Sequence, residues 1–86
     1  MTEKTVVIQN PTGLHARPAA LLIQKAGSFK SSIKIVKDGR EADAKSLLGV
    51  MSLAIKGNES ITVRAEGEDE VAAIEAMTQF LESHQE

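Results

Sequence analysis

"SSIKIVKDGREAD", residues 31–43, decides the fold. Ile33 and Ile35 alternate with Ser32 and Lys34, the two-residue period of a strand with one dry and one wet face. Asp38-Gly39 is a hairpin signal, because both central residues of a type I′ turn need positive φ. Arg40 to Asp43 is then the returning strand, antiparallel to the first. A sheet that is wet on one face needs helices only on the other.

The flanking segments supply those helices and two more strands. Thr5 to Ile8 is β-branched and reads as a strand ending at "NPTG", where Pro11 and Gly13 suit the second and fourth positions of a type I turn. A helix follows from about Ala16 to Ala26. Ala19, Leu22, Ile23 and Ala26 form its buried stripe, and Gly27 is a stop. Downstream, "SLLGVMSLAI" (46–55) reads as a short helix despite Gly49, which costs about 1 kcal/mol against alanine. "KGNES" turns the chain into a strand with Ile61, Val63 and Ala65 facing inward. Glu68, Asp69 and Glu70 are expected in the first turn of a last helix, where the dipole favours negative charge. Ile74, Met77 and Leu81 give that helix its core stripe. The order βαββαβα implies an α/β (α+β) two-layer, open-faced sandwich with a mainly antiparallel sheet and helices on one face.

Composition narrows the function classes. The 86 residues, 42% hydrophobic and 26% charged, are read as one globular domain, 1–86. A chain of this size buries roughly 60–65% of its unfolded surface. With no cysteine there is neither a disulfide framework nor a thiolate metal site. The net charge is −2, the cations are not clustered in sequence, and Phe29 and Phe80 are the only aromatics, which argues against nucleic-acid binding. The start does not read as a signal peptide and no segment has the length of a membrane span, so a cytoplasmic location without membrane insertion is expected.

The chemistry concentrates in "NPTGLHARPAALL", residues 10–22. His15 stands at or beside the N-cap of the first helix, and Pro18 falls in the first turn, where a missing N–H costs nothing. The amides of Ala16 and Arg17, with the helix macrodipole, suit an anion such as phosphate. Arg17 adds a planar donor fork able to grip two phosphate oxygens. An imidazole so placed suits phosphoryl transfer, with His15 as acceptor. A plain surface histidine and a general base fit the same spacing. A metal ligand fits less well, since no second His, Cys or close carboxylate accompanies it. His84, in the polar "ESHQE", reads as solvated.

A second motif separates these readings. "GLHARPAALL" followed about thirty residues later by "AKSLLGVMSLAI" resembles the HPr family, the histidine-containing phosphocarriers of the bacterial sugar phosphotransferase system. The similarity covers essentially the whole chain. It implies strand order 1-4-2-3, and phosphorylation of His15 on Nδ1 by enzyme I, itself charged by phosphoenolpyruvate. His15 would then pass the group to the IIA unit of a sugar permease, with Arg17 and the amides of Ala16 and Arg17 assisting. It implies no cofactor, and a stoichiometric carrier rather than an enzyme. Ala54 stands where many members carry glycine, and Ala20 where many carry a small hydroxylated residue. Regulatory paralogues that carry no phosphate lack the histidine, which this chain keeps, and against a carrier of the nitrogen-related branch the Ser46 segment points to sugar uptake.

Ser46 has the chemistry of an N-cap for the short helix, worth about 1 kcal/mol. A phosphate there would be tolerated by the helix N-terminus. The resemblance implies that HPr kinase/phosphorylase, in bacteria that own it, modifies Ser46, giving a form that slows the His15 reaction or binds a catabolite-control repressor. Leu47, Leu48, Val50, Met51 and Leu53 wrap nearly all of that helix. Val50 and Leu53 are assigned to the core. Leu47, Leu48 and Met51 are expected to stay partly exposed as a docking patch extended by Ala16, Ala20 and Gln24. Nothing in the sequence calls for an obligate oligomer, so a monomer is expected.

Overall fold

The hairpin is where the sequence places it. In the computed structural model, which describes residues 1–9, 13–14 and 16–83, β2 is Ser32–Lys37 and β3 is Arg40–Asp43. Lys37 pairs with Arg40, and Asp38 and Gly39 between them both have positive φ, 51° and 80°. Around this hairpin run β1 (Thr2–Val7), α1 (Ala16–Gly27), α2 (Leu47–Ser52), β4 (Ser60–Glu66) and α3 (Glu70–Glu82). The strands are ordered β1-β4-β2-β3 and every neighbouring pair is antiparallel.

Register explains the two faces. Ile35 lies opposite Val63, Ile33 opposite Ala65 and Val6 opposite Ile61, and all six are buried under the helices. They join Leu22, Val50, Met77 and Leu81 in one apolar cluster. On the other face Thr5 and Thr62 share a hydrogen bond of 3.0 Å, and Arg64 donates to Glu3 at 3.1 Å and Glu41 at 3.0 Å. α3 packs on β1 and β4, α1 lies against both other helices, and α2 sits beside β3. No helix among the described residues is long and apolar enough to cross a membrane.

Four expectations need correction. β1 starts at Thr2 rather than Thr5, because pairing with β4 continues to Ala65 and an edge strand tolerates exposed Glu3 and Lys4. In α1 the buried set is Pro18, Ala19, Leu22 and Ala26, with Ile23 only half-buried. α2 ends at Ser52 instead of running on to Ile55. Ala54 has φ 53°, a left-handed conformation that no helix continues through, and Ile55 reaches the core beyond it.

At α3, only Glu70 lies in the first turn. Asp69 takes the N-cap position without a cap bond there. Its carboxylate instead accepts from the Lys30 and Ser31 amides, both at 2.9 Å, and from the buried Ser31 hydroxyl. Those bonds, the Ser31 hydroxyl foremost, hold the Asp69 carboxyl down to about 2.

Candidate functional site

The approach to α1 is fixed from below. Leu14 is buried and donates its amide to the Ile55 carbonyl at 3.0 Å. Gly13, with φ 76°, lies so close to the same segment that an added Cβ would stand 2.7 Å from Lys56 Cα. Only glycine satisfies both the dihedral and the space. The next residue, His15, lies outside the described residues, as do Asn10, Pro11 and Thr12 of the preceding turn and His84 near the end.

At the start of α1, Ala16 and Arg17 are exposed, while Pro18 and Ala19 behind them are buried. The first amides of a helix have no acceptor within it, and α1 carries no acidic residue in its first turn. This end is therefore electropositive and open to solvent. Arg17 stands on the exposed side of the helix with Ala20 and Gln24.

α2 presents a second feature. Ser46 is its N-cap, in extended conformation, and its Oγ accepts the Gly49 amide at 3.1 Å. The hydroxyl is half-buried and already used in capping. Beside it, Lys45 Nζ donates to the Phe29 carbonyl just beyond α1 at 2.9 Å, tying the two helices together.

The greasy helix divides as expected: Val50 and Leu53 are buried, while Leu47 is 45%, Leu48 82% and Met51 41% exposed. α1 packs against α2. Leu21, 41% exposed, was not foreseen. It follows Arg17 by one turn and lines a shallow hollow with Gln24, Lys25, Ser28 and Phe80. Four-residue spacing from Arg17 was the available signal.

A third group gave no signal in sequence. Lys37 Nζ donates to the carbonyls of Leu53 at 3.1 Å and Ala54 at 3.0 Å, and pairs with Glu59 at 2.9 Å. Arg40 donates to the Ser52 carbonyl at 2.9 Å. Glu59 also accepts the Lys56 amide at 2.6 Å. That amide first, and Lys37 next, push the Glu59 carboxyl below its ordinary value.

Comparison with known proteins adds three findings. The family described as "PTS HPr component phosphorylation site" matches residues 2–83. The HPr-like protein Crh of Halalkalibacterium halodurans is 51% identical over 82 residues, covering 95% of this chain and 98% of Crh. The phosphocarrier protein HPr of Mycoplasma pneumoniae is 45% identical over 86 residues, covering 99% and 98%.

Among solved structures, HPr-C-His from Thermoanaerobacter tengcongensis superimposes with a TM-score of 0.92 at 46% identity, over 95% of this chain and 92% of that one. Crh of Bacillus subtilis, described as a swapped-domain dimer, gives 0.80 at 40% identity, over 99% and 98%.

Proposed function

The chain belongs to the HPr family, and from that membership we propose that it is a phosphoryl carrier of a sugar phosphotransferase system, with His15 as the acceptor. The observation that carries this reading is a histidine directly before the exposed, acid-free N-terminus of α1 in a chain matched to that family. In the reaction, the bond from phosphorus to the donor's leaving atom breaks as a phosphorus–nitrogen bond forms to Nδ1 of His15, and the electron pair of the broken bond stays with the donor. Arg17 and the first amides of α1 meet the charge on the transferring oxygens. Leaving them is as necessary as reaching them, so the site suits an exposed helix end better than an enclosed pocket.

In this reading enzyme I is the donor and IIA units are the acceptors. Leu47, Leu48, Met51, Ala16, Ala20 and Gln24 form the surface on which both dock in turn. The chain acts as a monomer without a cofactor, in the cytoplasm, and as a single domain. Ser46 is its regulatory site, modified by HPr kinase/phosphorylase to favour a catabolite-control repressor. Phosphorylation there would exchange a capping hydroxyl for a charge of about −1.5 to −2 at a helix N-terminus.

A purely regulatory module is the second reading, favoured by the relationship to Crh. The histidine discriminates between them. Incubation with enzyme I and phosphoenolpyruvate is expected to give a phosphoryl group that is labile to acid and stable to base. His15→Ala should abolish it. An unmodified wild-type chain, or equal labelling of the variant, would leave the regulatory reading standing. A mass measurement of the native protein at working concentration decides between monomer and dimer.

A further inference from the structure

We propose that Lys37 and Arg40 are positioning residues, a two-cation clamp that holds residues 52–56 and, through them, both the docking helix α2 and the Gly13-Leu14 support before His15. The inference deepens the carrier reading and rests on it for its functional half.

Four observations meet on this segment. Its carbonyls at Ser52, the last residue of α2, and at Leu53 and Ala54 just past it receive Arg40 and Lys37 respectively, so the cations bind where the helix stops and its own amides run out. Its next carbonyl, Ile55, takes the Leu14 amide. Its next amide, Lys56, is held by Glu59, the same carboxylate that pairs with Lys37. And Ala54, at φ 53°, is in a conformation that persists in a residue with a Cβ only when its surroundings over-determine it.

These bonds give the clamp a direction. Lys37 is the shared member: its ammonium touches two carbonyls and one carboxylate, and its side chain is only 13% exposed. Positive charge at a helix C-terminus also complements the macrodipole. Both cations come from the two ends of the β2–β3 hairpin turn, where Lys37 pairs with Arg40. The hairpin therefore reaches across to set the end of α2. Ile55 and Lys56, the end of this segment, in turn form the floor against which Gly13 and Leu14 lie, next in the chain to His15. Removing the clamp should loosen α2 and that floor together, while leaving the sheet intact.

Amide hydrogen exchange and transfer kinetics test this on the intact chain. In Lys37→Met, exchange at Leu14, Leu53 and Ala54 is expected to quicken about tenfold, the factor equivalent to losing one charge-assisted hydrogen bond. Amides of Ile35 and Val63, in the sheet, should be unchanged. Lys37→Arg keeps a donor to the same carbonyls and should restore slow exchange. In the same pair, kcat/KM for phosphoryl acceptance from charged enzyme I should fall about tenfold and recover, within what sub-ångström misplacement costs. Uniform acceleration that includes Ile35 and Val63, unchanged exchange at Leu14 and Ala54, or an unchanged kcat/KM would each overturn the positioning role. The exchange arm needs no partner, so it judges the clamp even if the unaltered chain accepts no phosphoryl group, an outcome that would remove the carrier reading instead.

Discussion

The α1–α2 half and the α3–β4 half of the molecule treat charge in opposite ways. Residues 16–56, which span α1 and α2, contain eight cations and three carboxylates, whereas residues 59–86 contain eight carboxylates and one cation, Arg64. In the second half much of that charge is engaged within the protein. Asp69 ties α3 to the Lys30-Ser31 corner, and Glu70 accepts from Thr2 Oγ1 at 2.5 Å and pairs with the Met1 amine at 3.1 Å. Around α2 the cations instead hold carbonyls, and the helix itself carries no charged residue. One half is cinched by its own acids. The other uses its cations on backbone and leaves the apolar side chains of Leu47, Leu48 and Met51 exposed. The net charge of −2 conceals this division.

The comparison breaks most sharply at Arg17. If the α1 end serves phosphoryl transfer, Arg17→Ala should slow acceptance by about a hundredfold, the loss typical of one charge-stabilising donor. Its urea midpoint should stay unchanged, because the side chain is exposed. Equal transfer rates in both proteins would detach Arg17 from the chemistry.

A smaller effect is expected on docking. Met51→Glu puts negative charge into the apolar patch and should raise KM for enzyme I about tenfold, in the range of a moderate interface hot spot. Val71→Glu makes the matching change on α3, where Val71 is 59% exposed, and should leave KM alone. Similar shifts from both would mean that net charge, and not the α2 surface, governs association.

Acid separates the halves thermodynamically. Glu70 is held down to about 2, first by the Thr2 hydroxyl, as Asp69 is by the Ser31 hydroxyl. A carboxyl depressed in the folded state stabilises above its unfolded value and loses that contribution as pH falls through the folded one. Stability should therefore hold above about pH 5 and decline between about 4.5 and 2, following the ordinary and depressed values of these groups. The decline should be modest, since both carboxyls are only half-buried and solvent screens them. Urea midpoints measured across that window give the curve. Asp69→Asn should flatten it, whereas an unaltered slope in that variant would acquit the Ser31 contact.

What was legible in the sequence follows the range of the interactions. The β2–β3 hairpin was readable because Asp38-Gly39 and the alternation of Ile33 and Ile35 are local. The division of α2 into buried Val50 and Leu53 and exposed Leu47, Leu48 and Met51 followed from how little of a helix a one-sided sheet covers. Strand order came from the family resemblance, because alternation says which face a strand buries and not which neighbour it takes. The clamp was illegible: Lys37 and its carbonyls are sixteen and seventeen residues apart. The Asp69–Ser31 contact spans thirty-eight, so "EDE" read as a helix start when one of its acids serves another corner.

Ala54 tests where the clamp's work is felt. A left-handed residue with a Cβ costs about 1–2 kcal/mol, and glycine, free of that cost, gives back about 0.5–1 kcal/mol through its looser unfolded chain. Ala54→Gly should therefore stabilise by only about 0.5–1 kcal/mol, read from the urea midpoint. If Lys37 over-determines this conformation, the two sites are coupled, and a double-mutant cycle with Lys37→Met should depart from additivity by about 0.5 kcal/mol or more. The sign is informative. A larger benefit of glycine in the Lys37→Met background means that the ammonium was holding alanine in place. Strict additivity would mean that Ile55 and Leu14 hold the bend unaided, and that Lys37 merely caps a short helix.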